Sequence, residues 1–72
     1  MHSSPRRPLL TRRERELAAE ILKGRSNRAI AVAFGVSPQT VRNQLTTLYR
    51  KLAVSSRLEL ASRLRASDDA WS

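Results

Sequence analysis

A three-residue break, Gly35-Val36-Ser37, constrains the fold of this chain more than any other feature of its sequence. Apolar residues recur at helical spacing on both sides of this break. Pro38 follows it, at the first position of a helix, where the missing backbone N–H costs nothing. A turn this short that opens with glycine makes the second helix cross the first steeply. The sequence therefore predicts a helix-turn-helix unit.

A hydroxyl side chain precedes each predicted helix and can cap it. Such a side chain accepts a hydrogen bond from a free backbone N–H of the first turn. The capping residues are Thr11, Ser26, Ser37 and Ser56. Glutamates follow the first and last of them by three residues, at Glu14 and Glu59, which predicts two capping boxes. The predicted helices cover residues 12–23, 27–34, 38–52 and 57–66.

Apolar residues give the third helix one buried side, because they fall at i, i+4, i+7 and i+11. These residues are Val41, Leu45, Leu48 and Leu52. No segment alternates apolar and polar residues as a strand does, and 72 residues allow one domain with a modest core. The predicted fold class is all-α, a four-helix bundle that contains the helix-turn-helix. We expect this domain over 9–66, a flexible arm or linker over 1–8 and a short tail over 67–72.

The chain is strongly basic, with 14 Lys and Arg against 6 Asp and Glu and a net charge of +8. Twelve of these cations are arginines, whose planar fork suits phosphates and guanine edges. Nucleic acid is therefore the first partner to consider, and a basic surface that is merely solvated is the alternative. The N-terminus lacks the apolar stretch of a signal peptide and no run spans a membrane, so we expect a soluble cytoplasmic protein.

The residue inventory argues against an enzyme and against a metal site. The chain has no cysteine, and its one histidine, His2, lies near the N-terminus. No glycine-rich phosphate loop precedes a helix, and the serines at helix starts are explained as caps. We therefore expect no catalytic residue, no metal ligand and no cofactor.

The third helix carries a polar side opposite its apolar stripe. Arg42, Asn43 and Thr46 lie within one turn of each other on that side. Arginine can bind guanine and asparagine can bind adenine through two hydrogen bonds, and the threonine methyl can contact thymine. In a helix-turn-helix the second helix lies in the major groove, so these residues are predicted to read bases. A polar side that simply faces solvent is the alternative.

Four motifs, in this order, resemble the LuxR/GerE-type DNA-binding domain of bacterial transcriptional regulators. They are Leu10-Thr11-Arg12-Arg13-Glu14-Arg15-Glu16, Ser26-Asn27, Val36-Ser37-Pro38-Gln39-Thr40-Val41-Arg42-Asn43, and Lys51-Leu52 before Val54. The resemblance covers about residues 9–64. It implies a four-helix domain that binds double-stranded promoter DNA, usually as a symmetric pair, at the nucleoid in the bacterial cytoplasm. RNA polymerase is a further candidate partner.

The resemblance also implies roles for individual residues. The base-reading positions fall on Arg42, Asn43 and Thr46. Phosphate contacts fall on the flanks of the third helix and the starts of the second and fourth helices. These are Asn27, Arg28, Ser37, Gln39, Thr40, Arg50, Lys51, Ser56 and Arg57. A weak homodimer, favoured on DNA, would use Leu58, Ala61 and Leu64 of the fourth helix, unless its leucines only complete the monomer core.

Three residues depart from the family pattern. Ala29 stands where glutamate is common, so the second helix lacks the second half of a capping box. Ala53 stands where glycine is usual, and a left-handed alanine there carries strain of about 1–2 kcal/mol. Gln44 replaces a histidine often found on the third helix. None of the three alters Arg42, so we expect DNA binding to persist and the base preference to stay open.

Two other functions remain as alternatives. A basic amphipathic helix can bind anionic lipid, but the arginines of the first helix alternate with glutamates, which suits intrahelical ion pairs better. A helix-turn-helix can also bind proteins, as in the promoter-binding region of sigma factors. A free-standing regulator and the effector end of a longer protein are both compatible with the sequence.

Overall fold

The structure is a computed structural model that describes residues 10–66, which form four α-helices and no strand. These are α1 (Arg12–Leu22), α2 (Asn27–Phe34), α3 (Pro38–Leu52) and α4 (Arg57–Ala66). The predicted all-α fold with four helices is confirmed. The predicted arm over 1–8 and tail over 67–72 lie outside the described residues. Within residues 10–66, no helix combines the length and apolarity needed to cross a membrane.

One hydrophobic core joins the four helices. Its buried residues are Leu10, Leu17, Ala18, Ile21, Ile30, Ala31, Val41, Leu45, Leu48, Leu52, Val54, Leu60, Ala61 and Leu64. The predicted apolar stripe of α3 is buried along its whole length. α2 packs mainly on α3, α4 packs mainly on α1, and α3 contacts all three other helices. The position of α3 is therefore set by the whole core.

Side-chain caps start α1, α2 and α3 as predicted. Thr11 Oγ1 accepts a hydrogen bond from the Glu14 N–H at 3.1 Å, and the Glu14 carboxylate accepts one from the Thr11 N–H at 2.8 Å. This completes the predicted capping box. Ser26 and Ser37 each accept a hydrogen bond at 3.1 Å from the N–H three residues later. α1 ends at Leu22, one residue earlier than predicted, with Lys23 as its C-cap and Gly24 in the left-handed conformation, with φ 80°.

The capping box predicted at the start of α4 is only half correct. Ser56 Oγ accepts a hydrogen bond from the Glu59 N–H at 3.1 Å, as expected. The Glu59 carboxylate, however, accepts from the N–H of Ser55 at 2.8 Å, one residue before the cap. The carboxylate still satisfies a free backbone donor beside the helix start, which is the physical function of a capping box.

Ala53 ends α3 in the left-handed conformation, with φ 57° and ψ 44°. It is the one non-glycine residue with positive φ between residues 10 and 66. Its N–H donates to the carbonyl of Arg50, and the N–H of Val54 donates to the carbonyl of Tyr49 at 3.0 Å. These bonds satisfy carbonyls in the last turn of the helix and stabilise the strained left-handed conformation of Ala53.

We expect Ala53→Gly to stabilise the domain by about 0.5–1 kcal/mol, which corresponds to a rise in Tm of about 2–8 °C. Glycine removes the steric strain of the left-handed conformation, and its greater flexibility in the unfolded chain offsets part of this gain. Thermal unfolding followed by circular dichroism measures the effect. Ala19→Gly is the matched control, because Ala19 is exposed inside α1 and should lose about 0.5–1 kcal/mol. A loss of stability in both variants would contradict the prediction.

Candidate nucleic-acid interface

Charge is segregated between the helices. α2 and α3 carry no acidic residue, and their cations are Arg28, Arg42, Arg50 and Lys51. The acidic residues of α1 each pair with a basic side chain at 2.8–3.6 Å. A surface that carries positive side chains and no acidic residue on the same helices attracts a polyanion. The absence of Asp and Glu between residues 21 and 58 can be seen in the sequence alone, although the predicted DNA-binding residues did not depend on it.

The three predicted base-reading residues lie exposed on α3, away from its buried stripe. Arg42 Nη2 donates a hydrogen bond to Gln39 Oε1 at 2.9 Å, and Gln39 Nε2 donates one to Asn43 Oδ1 at 3.0 Å. Thr46 Oγ1 donates to the Arg42 carbonyl at 3.0 Å. Because its hydroxyl is used within the helix, the methyl group of Thr46 is the part available for an apolar contact. These side chains form one polar surface.

The start of α3 brings together two of the predicted phosphate ligands. Ser37 Oγ accepts from the Thr40 N–H and lies 3.1 Å from Thr40 Oγ1. Ser37 is exposed and Thr40 is half-buried. Pro38 has no N–H and the Thr40 N–H is capped by Ser37, so the helix dipole and the Gln39 N–H are what favour an anion at this end. The hydroxyls are therefore fixed beside a position that suits a phosphate.

The starts of α2 and α4 bring together three more predicted phosphate ligands. Arg57 donates from Nη1 to Asn27 Oδ1 at 2.8 Å and from Nη2 to the carbonyl of Arg25. Ser56, which caps α4, is the neighbour of Arg57 in the chain. The two bonds use two of the five N–H groups of a guanidinium. Arg57 therefore links two helix starts, and within residues 10–66 three of its N–H groups are left for another acceptor.

The predicted cationic phosphate ligands differ in how far they are already engaged. Arg28 and Arg50 are exposed, and their side chains form no hydrogen bond or ion pair within residues 10–66. Lys51 is half-buried and donates from Nζ to Glu14 Oε1 at 2.8 Å. Arg28 and Arg50 are therefore free to contact a ligand, whereas a phosphate contact by Lys51 competes with its ion pair.

The ion pair between Glu14 and Lys51 joins α1 to the end of α3. Burial raises the pKa of the Glu14 carboxyl, but hydrogen bonds from Lys51 and from the Thr11 backbone, with the charge of Lys51, outweigh it. The pKa of Glu14 therefore lies below its ordinary value. The carboxylate is thus ionised at neutral pH and serves both as the helix cap and as the partner of Lys51.

The dimer interface predicted on α4 needs a correction. Leu58 is 80% exposed, but Ala61 is 7% and Leu64 is 0% exposed. α4 packs its Leu60, Ala61 and Leu64 side into the monomer core, mainly against α1. The prediction that Ala61 and Leu64 face a partner is therefore wrong, and Leu58 is the member of the set that remains at the surface.

Two further departures from the family pattern, Ala29 and Gln44, lie on α2 and α3. Ala29 donates its N–H to Ser26, and as expected its own side chain cannot complete a capping box. Gln44 is half-buried near α1, and its Oε1 has no hydrogen-bond partner among the described residues. Both residues are half-buried, unlike the exposed base-reading positions.

Sequence comparison relates this chain to bacterial regulatory proteins. Residues 8–64 match the GerE profile, described as bacterial regulatory proteins of the luxR family. The transcriptional regulatory protein UhpA of Escherichia coli is 40% identical over 62 residues, which is 86% of this chain and 32% of that protein.

Two further relatives are similar over shorter stretches. UhpA of Salmonella typhimurium is 42% identical over 55 residues, covering 76% of this chain and 28% of that protein. The transcriptional regulatory protein YdfI of Bacillus subtilis is 44% identical over 50 residues, covering 69% of this chain and 24% of that protein. The chain thus spans about a third or less of the length of these relatives.

Proposed function

Because the chain belongs to the luxR family of bacterial regulatory proteins, we propose that it regulates transcription by placing α3 in the major groove of double-stranded promoter DNA. The family and the regulators that it resembles point to a DNA-binding regulator and not to an enzyme. The sequence preference, the mode of pairing and the roles of single residues belong to this proposal.

The observation that carries the proposal is the acid-free, basic surface of α2 and α3 with hydrogen-bonding side chains exposed on α3. α3 has 15 residues and is about 22 Å long, so it can lie along a major groove, which admits one α-helix. Arg42 would bind guanine, Asn43 would bind adenine, and the Thr46 methyl would contact thymine. These three contacts would supply the direct readout.

Phosphate contacts would fix this helix in the groove. Arg28 and Arg50 are the most available cations, because their side chains form no hydrogen bond or ion pair within residues 10–66. Ser37 and Thr40 lie at the start of α3, where the helix dipole adds to the attraction. The five remaining predicted phosphate ligands have partners within the domain and would contact phosphate in addition to them or in exchange. They are Asn27, Gln39, Lys51, Ser56 and Arg57.

The experiment that tests this proposal is selection of bound sequences from a randomised duplex library at near-physiological salt. We expect enrichment of an inverted repeat whose half-sites lie about 10 base pairs apart, since two-fold protein pairs bind two-fold sites. Binding without enrichment would contradict base readout by α3. The absence of binding would overturn the proposal and favour a protein-interaction module instead.

We further propose that two protomers pair weakly through α4, around the 80% exposed side chain of Leu58. One exposed leucine supports a contact far smaller than a stable interface needs, so the pair should form mainly on DNA. Leu58 lies on the exposed side of α4, whereas Leu60, Ala61 and Leu64 face the monomer core. It would set the spacing of the two half-sites.

Leu58→Gln should reduce affinity for an inverted repeat about ten-fold and leave affinity for a single half-site unchanged, because an apolar contact between protomers is lost. Titration of both duplexes measures this difference. Val32→Gln is the matched control, since Val32 is 79% exposed on α2 and outside the proposed contact. Sedimentation that revealed a tight dimer without DNA would contradict the weak pairing.

Three wider assignments remain predictions. Residues 9–66 are the predicted DNA-binding domain, and 1–8 and 67–72 are its predicted arm and tail. A contact with RNA polymerase is predicted without a residue assigned to it, and the cytoplasm is the predicted compartment. Deletion of residues 67–72 with retained DNA binding would support the proposed domain boundary.

A further inference from the structure

Gln39 lies on the N-terminal side of both proposed hydrogen-bonding readers on α3 and neighbours each of them. It precedes Arg42 by three residues and Asn43 by four, and residues at these two separations lie next to each other on a helix. Its amide bonds to both side chains, at 2.9 Å to Arg42 and 3.0 Å to Asn43. The three side chains therefore form a continuous hydrogen-bonded chain on the exposed side of the helix.

The chemistry of the donors fixes the direction of this chain. A guanidinium only donates hydrogen bonds, so Gln39 must turn its oxygen toward Arg42. The amide nitrogen of Gln39 then faces Asn43, which must in turn present its oxygen. The Nδ2 group of Asn43 is consequently not used in this chain, and its orientation follows from the donor-only chemistry of the Arg42 guanidinium, which reaches Asn43 through the Gln39 amide.

This arrangement leaves the base-reading groups of both residues available. Arg42 uses one N–H for Gln39 and keeps the others, and two are enough for guanine O6 and N7. Asn43 keeps its Nδ2 donor and a second lone pair on Oδ1, the pair of groups that binds adenine N7 and N6. Both side chains are thus held without losing their proposed function.

We propose that Gln39 is a positioning residue that orients Arg42 and Asn43 for base readout, and not the phosphate ligand that the family resemblance implies. This inference rests on the proposed function. A side chain that is already ordered loses less conformational entropy when it binds, so the hydrogen-bonded chain favours the matching bases over others. Gln39 would therefore contribute to specificity while contacting no base itself.

The test compares Gln39→Met with the unchanged protein on two duplexes, the most enriched sequence of the library and a scrambled duplex of the same composition. Methionine keeps the length and helix propensity of glutamine but forms neither hydrogen bond. We expect the ratio of the two affinities to fall about 3- to 10-fold, the effect of losing two exposed orienting hydrogen bonds at the low end of their usual strength. Affinity for the scrambled duplex should not change. A phosphate ligand would instead lower both affinities equally, which would overturn the inference.

A double-mutant cycle tests whether Gln39 acts through the two readers. In a background of Arg42→Ala with Asn43→Ala, Gln39→Met should cause no further change in the affinity ratio, because the groups that it orients are gone. Additive effects would show that Gln39 contacts DNA directly and would overturn the inference.

The same cycle separates this inference from the proposed function. If the Arg42→Ala, Asn43→Ala background keeps the full affinity ratio, the proposed base readout itself is wrong. If that background loses the ratio while Gln39→Met alone keeps it, base readout stands and only the role of Gln39 is refuted. Circular dichroism of each variant checks that the helices are retained, which is expected because all three residues are exposed.

Discussion

Replacing Arg28 and Arg50 together by glutamine should weaken DNA binding about 10³-fold at near-physiological salt. Each phosphate contact by a cation contributes about 0.9 to the slope of log K against log salt, and two residues in each of two protomers make four contacts. Both side chains are exposed and form no hydrogen bond or ion pair within residues 10–66. Titrations over a range of salt concentrations should therefore give a slope that is shallower by about 3–4.

The matched control for this variant removes the same net charge elsewhere. Arg12 pairs with Glu16 on α1, and Arg65 lies exposed near the end of α4. Glutamine at Arg12 and Arg65 should leave the salt slope nearly unchanged, because neither residue belongs to the proposed DNA surface. Equal losses in the two double variants would mean that net charge attracts DNA without specific phosphate contacts, and would contradict the proposed interface.

Arg42→Ala should cost about 1–3 kcal/mol of binding free energy per half-site and relax the preference at one base pair. A guanidinium that donates two hydrogen bonds to guanine discriminates against every other base, and alanine can form neither bond. Repeating the library selection with the variant should show one position in each half-site that is no longer enriched. The other positions should keep their preference.

Arg42→Lys separates the charge of Arg42 from its geometry. Lysine keeps the positive charge and can still donate to guanine but lacks the planar fork, so base preference should weaken while the salt dependence is retained. An unchanged preference in both variants would remove Arg42 from the base-reading set. The polar side of α3 would then be an ordinary solvated surface, which is the alternative that the sequence left open.

The segregation of charge is the reason that the proposed interface is assigned to α2 and α3 and not to the equally arginine-rich α1. The arginines of α1 alternate with glutamates, and the salt bridges to Glu16 and Glu20 lie at 3.4–3.6 Å. These pairs leave little net charge along α1. Anionic lipid would meet the same neutralised helix, so we expect a membrane surface to be a poorer partner than DNA.

The sequence by itself determined the helices and the helix-turn-helix. Hydroxyl caps and glycine stops act within one turn of chain, so Thr11, Ser37 and Gly35 mark helix ends regardless of the rest of the fold. The left-handed conformation of Ala53 was expected from the family resemblance, because glycine is usual at this position. Periodicity likewise predicted which side of α3 is buried, and therefore which side is free for Arg42 and its neighbours.

Only the tertiary structure decided which of the predicted functional residues are free. Lys51 pairs with Glu14, 37 residues away, and Arg57 binds Asn27, 30 residues away, so neither contact can be seen in a local pattern. The burial of Leu64 depends in the same way on α4 packing against α1. A helical repeat shows that one side is apolar, but whether that side meets the protein's own core or a partner depends on where the other helices lie.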